Sequence, residues 1–467
     1  MNLKKIIGFA VGPIGSSALG LITVPIIAWL YSSEDIGRLA VLQVVMSSAV
    51  LLFSLGLDQA YIRNYHESRK QSQLLKTSIT PGALLLISTL LIFNLFPGSI
   101  SKLLFDIDSI SISLMVTIYI ITGFLTRFIS IILRMQEKGL AFSFIQLLPK
   151  VLLLIIIGCY ASISTDLNFY YLIVASVAST TAAAVFFIFT TKSTWLKALN
   201  DKIDKEQIKP MLMFGMPLII SGLSYWGLTA MNTIFMRNTS TFDQLAIYSV
   251  AISFASVGSV FRSIFSTIWA PTVYKWEHEG VAVEKIKNTT DQITFSVSIL
   301  FCVTALLSSS INLILPDKYS DVQYILISCM AYPLFYTLSE ATGIGSGILR
   351  KSSHTLYSSI AIMAANFVAI YLLIPIYGAA GAAVSTALSS WLFLVLRTEI
   401  SAHTWKKTPR LKTYITTLAC LALSVSYTLK GSEHPYLFPA IWFIFLLVII
   451  ISFKKTSATI AKYITSR

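Results

Sequence analysis

The chain has 467 residues, of which 55% are hydrophobic and only 12% charged, against about 25% charged residues in a soluble domain. That composition excludes a soluble globular protein and points to an integral membrane protein. A net charge of +14 would suit a polyanion such as nucleic acid, but the charges are placed for another purpose.

A hydrocarbon core of about 30 Å needs about 20 apolar residues per helix. Fourteen such runs are predicted, at 6–31, 39–57, 76–96, 110–133, 141–160, 169–190, 211–235, 245–269, 292–314, 322–347, 355–374, 378–396, 413–429 and 437–453. The runs are continuous rather than alternating, so they read as helices and not as barrel strands. The first follows Lys4 and Lys5 as a secretory signal would. It is too long for one and no small-residue cleavage site follows, so it counts as the first helix. Its Gly8, Gly12, Ser16 and Gly20 recur at four-residue spacing, a stripe that admits another helix backbone closely.

The second run ends at Asp58, expected as an interfacial anchor or a partner for Arg63. Charges farther inside cost about 2.5–3.5 kcal/mol each and face a partner or a wet cavity. In the fourth run Arg127 lies about 10 Å from the helix end at 1.5 Å per residue. In the fifth, Ser143, Gln146 and Lys150 share one face at i, i+3, i+7. Lys150 is about 14 Å deep, near the midplane, which suits either a cavity lining or a structural ion pair. Ser221, Tyr225 and Asn232 form a polar stripe on the seventh run, lining a cavity or packing on a neighbour. Arg262 on the eighth and Glu340 on the tenth lie at similar depth and are expected either to pair or to serve function separately.

With the N-terminus inside, 27 of the 35 Lys and Arg residues fall in inner loops and tails, and only Arg38, Lys102, Arg237, Lys318 and Lys430 in outer loops. This positive-inside bias puts both termini in the cytoplasm and accounts for the basicity without nucleic acid. The basic segment 191–210 divides six helices from eight. Gly12-Pro13, Ile36 to Leu39 and Ile132 to Arg134 have weak counterparts at Met216-Pro217, Leu245 to Tyr248 and Ile348 to Arg350, offset by 204 to 216 residues. The expected organisation is an N-lobe at 1–190, a cytoplasmic linker at 191–210, a parallel-repeated C-lobe at 211–397 and a two-helix hairpin at 398–467.

Cys159, Cys302, Cys329 and Cys420 lie in apolar runs without CxxC spacing and are expected as core thiols. The five histidines make no metal pattern. No Walker motif, HExxH or nucleophile elbow occurs, so no catalytic group, metal or cofactor is expected. Three deep cations against one deep carboxylate suit an anionic head group such as a phosphate. A pump for cationic drugs would place carboxylates there instead.

Pro25 to Leu30, Glu34 to Leu39, Ser54-Leu55-Gly56-Leu57-Asp58-Gln59-Ala60-Tyr61, Leu133 to Glu137, Phe214-Gly215-Met216-Pro217 with Tyr225-Trp226, and Trp269-Ala270-Pro271 with Tyr274 occur in order. In these stretches the chain resembles the Wzx-type O-antigen and capsule flippases of the multidrug/oligosaccharidyl-lipid/polysaccharide exporter superfamily. The resemblance implies an all-α fold of two six-helix lobes in a V around a central cavity. It implies transport of an undecaprenyl-pyrophosphate-linked repeat unit across the bacterial inner membrane, from cytoplasmic to periplasmic leaflet, by alternating access. It also implies that basic cavity residues hold the pyrophosphate, with Arg127, Lys150 and Arg262 as the in-span cations here, and that glycan polymerase and chain-length machinery are partners. Many relatives carry an acidic-basic pair where this chain has Asn232-Thr233, which removes the charges an ion-coupling role would use there.

Two rivals remain on sequence grounds, a multidrug exporter of the same superfamily and a membrane glycan polymerase or ligase. The short outer loops disfavour the second. Reporter fusions after Lys102 and Lys430 are expected to report periplasm and one after Lys205 cytoplasm; a periplasmic signal at Lys205 overturns the two-lobe arrangement.

Overall fold

Hydrocarbon offers a peptide group no hydrogen-bond partner, so each apolar run must satisfy its backbone within itself, and each of the fourteen runs corresponds to helix. The computed structural model describes residues 3–164, 166–280, 282–349, 352–454 and 456. Side chains are described for all of these except 3–10, 220–221, 223–225, 228–229, 267, 270–271, 282 and 352–356. The long helices are α1 (Leu3–Leu30), α2 (Ser33–Phe53), α4 (Gln71–Asn94), α6 (Ile110–Met135), α7 (Gly139–Ile163), α8 (Phe169–Thr190), α10 (Lys205–Thr239), α11 (Phe242–His278), α12 (Ala282–Leu307), α13 (Val322–Thr342), α15 (Ser352–Thr404), α16 (Leu411–Lys430) and α17 (Leu437–Ser452). Between them lie the short α3 (Leu57–Asn64), α5 (Ser99–Phe105), α9 (Lys192–Asn200) and α14 (Gly345–Ile348). Among the described residues there is no strand.

Among the described residues ten helices are long and apolar enough to cross a membrane, and α10, α16 and the 16-residue α17 lie outside that set. The runs 355–374 and 378–396 emerge as the single element α15, broken only at Gly378, whose φ of 53° and ψ of −123° are not helical. A left-handed φ favours glycine. The break is closed by Gln244 at the start of α11, whose Oε1 accepts the Ala379 N–H at 3.0 Å. Four helices entered from the expected outer loops carry their own caps. Ser32, Ser109, Asn168 and Thr241 each accept a first-turn N–H of α2, α6, α8 and α11, satisfying donors that a helix start otherwise leaves open.

The chain forms two compact units, Met1–Trp226 and Gly227–Arg467, divided inside α10. In the first unit α1 packs on α7, α7 on α8, and α6 on α8 and α2, around Ile129, Leu133, Ile145 and Phe187. The segment 191–210 is largely helical and docked. Lys76 Nζ donates to the carbonyls of Leu199 and Asp201, each at 2.7 Å, and Thr77 Oγ1 accepts the Asp204 N–H at 3.1 Å. That docking places the first part of α10 in the first unit.

In the second unit α13 is the central helix, 83% buried along its span and packed by α11, α12, α15 and α16. The hairpin α16–α17 is built into this unit. Trp391 donates to Thr417 at 3.1 Å, Ser308 meets Tyr427 at 3.1 Å, and Arg410 clasps Glu399 with 2.5 and 2.8 Å bonds. Cys302, Cys329 and Cys420 are buried thiols, but Cys159 is exposed on α7 and is no core residue. Both lipid and core are apolar, so an apolar run does not say which one a residue faces.

The small-residue stripe of α1 packs a helix. A Cβ on Gly12 would stand 2.7 Å from Ser143 Cα, a backbone atom that cannot step aside. Gly12→Val is therefore expected to force α1 off α7 and cost about 1–3 kcal/mol, seen as a lower thermal midpoint of the purified protein. An unchanged midpoint would contradict the close seam.

Candidate functional site

Three of the expected site residues lie on α7, and α1 decides what two of them do. The Gly12 N–H donates to Ser143 Oγ at 2.8 Å, so Ser143, 1% exposed, is a seam residue and not a cavity lining. Two turns along, Lys150 Nζ donates to the Ser16 carbonyl at 2.6 Å. Gly20 leaves the ammonium its space, since a Cβ there would lie 3.3 Å from Nζ. Among the described residues no carboxylate pairs with Lys150. A single carbonyl dipole anchors the charge without cancelling it. Gln146, between them on the same face, is half-buried and makes no hydrogen bond to another described side chain.

Asp58 and Arg127 find each other. Asp58 Oδ2 accepts from Arg127 Nη2 at 2.5 Å and Nε at 3.0 Å, and from Gln59 Nε2 at 3.0 Å. The aspartate side chain is 5% exposed, the arginine 42%. The expected Asp58–Arg63 pair gives way because Arg63 lies over the Phe214 ring at 4.4 Å. One carboxylate oxygen thus fixes Arg127 from one edge and leaves its Nη1 donors outside the pair.

Two arginines of the second unit lie on aromatic faces. The Arg262 guanidinium lies 4.9 Å from the Tyr336 ring and 5.8 Å from Tyr332, whose hydroxyl it also reaches at 3.4 Å. Arg397 lies 5.9 Å from Tyr336 and 5.5 Å from Phe393, and donates to Ser339 Oγ at 3.4 Å. Its Nε is buried with no hydrogen bond. Glu340 takes the Ser266 hydroxyl in place of the expected Arg262, and its carbonyl accepts from Trp269 Nε1 at 2.9 Å. Cation–π contact is worth about 0.5–2 kcal/mol, and among the described residues no carboxylate pairs with Arg397. Sequence reasoning missed Arg397 because the apolar run stops at Leu396 while α15 continues to Thr404. The signal available was the i, i+4, i+8 line of Tyr332, Tyr336 and Glu340 on α13.

Asn232 departs from a cavity lining. It is 0% exposed; its Nδ2 donates to Tyr248 Oη at 2.5 Å and Thr386 Oγ1 at 2.6 Å, and its Oδ1 accepts from Ser385 at 3.3 Å. The amide is satisfied within a neutral buried network that holds α10, α11 and α15 together. Tyr225 and Ser221 are helical residues of α10 whose side chains lie outside the described residues.

The family described as "polysaccharide biosynthesis protein" matches residues 3–276, more than half of the chain. No curated protein sequence matches. Among solved structures, the chain is similar to the lipid II flippase MurJ in an inward closed conformation, with a TM-score of 0.70, 14% identity, and coverage of 99% of this chain and 100% of that one. It is also similar to a multidrug resistance MATE family transporter of the MOP superfamily. The inward-facing form gives a TM-score of 0.57 at 12% identity over 86% of this chain and 95% of that one. The outward-facing form gives 0.56 at 13% over 89% and 96%. At such identities the likeness establishes a shared fold.

Removing one member of the Asp58–Arg127 pair strands the other. Arg127→Met is expected to cost about 2–3 kcal/mol, below the 3–5 kcal/mol of a wholly buried pair because the arginine is partly solvated. Asp58→Asn in the same chain is expected to restore the thermal midpoint, and failure of that rescue would show that Asp58 has another partner.

Proposed function

The chain belongs to the polysaccharide biosynthesis protein family, and we propose from this premise that it is a flippase for a polyprenyl-pyrophosphate-linked oligosaccharide repeat unit. The unit moves from the cytoplasmic to the periplasmic leaflet of a bacterial inner membrane, by alternating access, and supplies surface polysaccharide assembly such as O-antigen or capsule. The observation that carries the reading is Lys150, a cation deep in an apolar helix, anchored by the Ser16 carbonyl and unpaired with any described carboxylate. A buried cation in low dielectric is costly alone, and a pyrophosphate is the kind of group that completes it.

Arg127, in the same unit as Lys150, serves the same anionic group or the sugars beside it. It is held in position by one carboxylate oxygen that leaves its Nη1 donors for a ligand. Gln146 contributes a hydrogen bond to the same substrate. The fold shared with the MATE transporter keeps drug export as the rival reading, and the excess of cations over carboxylates disfavours it for cationic drugs.

A deletion strain carrying variants in trans tests both. The deletion is expected to accumulate lipid-linked repeat units on the cytoplasmic side; unchanged glycan with raised drug sensitivity would instead support the exporter. Lys150→Arg is expected to keep partial export, limited by geometry. Lys150→Met, near in length but neutral, is expected to abolish export at normal protein abundance. Full export by an abundant Lys150→Met protein would remove the pyrophosphate assignment.

A further inference from the structure

Between α4 and the first turns of α10 runs an open furrow of about 790 Å³ that the transport reading does not use. On α10 it is lined by Lys205, Ile208, Lys209, Leu212, Met213 and Met216, the i, i+3, i+4, i+7, i+8, i+11 positions of one helix face. Across from them lies Leu84 of α4. Leu84, Met213 and Met216 are exposed, at 64%, 70% and 48%, so the furrow opens sideways to whatever surrounds the helices.

Its polarity is axial. Both lysines sit at the start of α10 and everything farther along is apolar. The rise from Lys205 to Met216 is about 16 Å, roughly half of a 30 Å hydrocarbon core. The furrow is therefore one leaflet deep. Among the described residues neither lysine pairs with a carboxylate, and the nearby acids are engaged elsewhere. Asp201 accepts from Ser72, and Asp204 caps α10 through the N–H groups of Glu206 and Gln207. Glu206, one residue from Lys205, projects from a different side of the helix.

We infer that this furrow seats one anionic phospholipid of the adjoining leaflet, its phosphate on Lys205 and Lys209 and an acyl chain along Leu84, Leu212, Met213 and Met216. Basic recesses between membrane helices recognise lipid phosphates in this way, and the two methionines adapt to a fluid chain as branched residues do not. The one-leaflet length selects an acyl chain over a polyprenyl chain that would overrun it. The seat lies where Asp204 and the Leu199–Asp201 carbonyls already tie this stretch to α4. A bound lipid thus braces the start of α10, and the anionic lipid content of the membrane sets how firmly.

The test is native mass spectrometry of the purified full-length protein, titrated with phosphatidylglycerol, phosphatidylcholine and polyprenyl phosphate, with thermal unfolding read in parallel. Phosphatidylglycerol is expected to bind in preference to phosphatidylcholine and to raise the thermal midpoint. Lys205→Gln with Lys209→Gln is expected to weaken phosphatidylglycerol roughly tenfold to thirtyfold, from about one charge contact per lysine, while leaving phosphatidylcholine unchanged. Met213→Trp, which fills the furrow, is expected to weaken both. Lys138→Gln, a lysine outside this furrow, is expected to change neither. The inference falls if the double variant binds phosphatidylglycerol as the unaltered chain does, or if only polyprenyl phosphate depends on the two lysines.

Discussion

Hydrocarbon solvates no charge and no hydrogen-bonding group, and the arrangement of polar side chains in this protein follows from that one constraint. Most inner hydroxyls turn back onto their own helix, as Thr23 does to Leu19, Ser78 to Leu74 and Thr294 to Thr290. Such bonds satisfy the side chain but fix nothing beyond its own turn. Bonds that cross between helices do the positioning, among them Ser143 on Gly12, Thr342 on Thr398 at 2.6 Å, and Asn232 among Tyr248, Thr386 and Ser385. Against that background Lys150, anchored by a carbonyl and paired with no described carboxylate, is conspicuous.

The expected in-span cations Lys150 and Arg127 of the first unit, and Arg262 and its neighbour Arg397 in the second, are held by different physics. In the first, oxygen atoms do it, a backbone carbonyl for Lys150 and a carboxylate for Arg127. In the second, ring faces do it, Tyr332, Tyr336 and Phe393 beneath Arg262 and Arg397. A carboxylate fixes direction strongly and cancels charge. A ring or a carbonyl fixes direction more weakly and leaves the charge in place. Lys150 in the first unit and Arg397 in the second are of the second kind among the described residues.

The helices were legible because hydropathy alone sets them, and the α7 face carrying Ser143 and Lys150 was legible from its spacing. Partners were not. Asp58 and Arg127 are 69 positions apart and Ser16 and Lys150 are 134 apart, and a backbone carbonyl leaves no mark in a sequence at all. Arg397 was read as a loop residue because an apolar run can end two turns before its helix does. The Pro375 to Gly378 stretch reads as a loop between two helices, yet the chain needs only one non-helical residue there. Asn232 looked open to a ligand because polarity in an apolar run signals either a cavity or a buried network, and spacing does not separate the two.

That one-residue break at Gly378 has a mechanical meaning. A connection without loop residues has no slack, so residues 352–377 and 379–404 cannot slide or part where they meet. The Gln244 amide pins the same point to the start of α11. Relative motion of these two helices is then confined to their far ends, and its amplitude grows with distance from the pinned turn. Arg397 stands near one of those far ends, 19 residues beyond the break, or about 28 Å along the helix. A tilt of a few degrees at Gly378 would carry its guanidinium by an ångström or more, a displacement on the scale of a hydrogen bond.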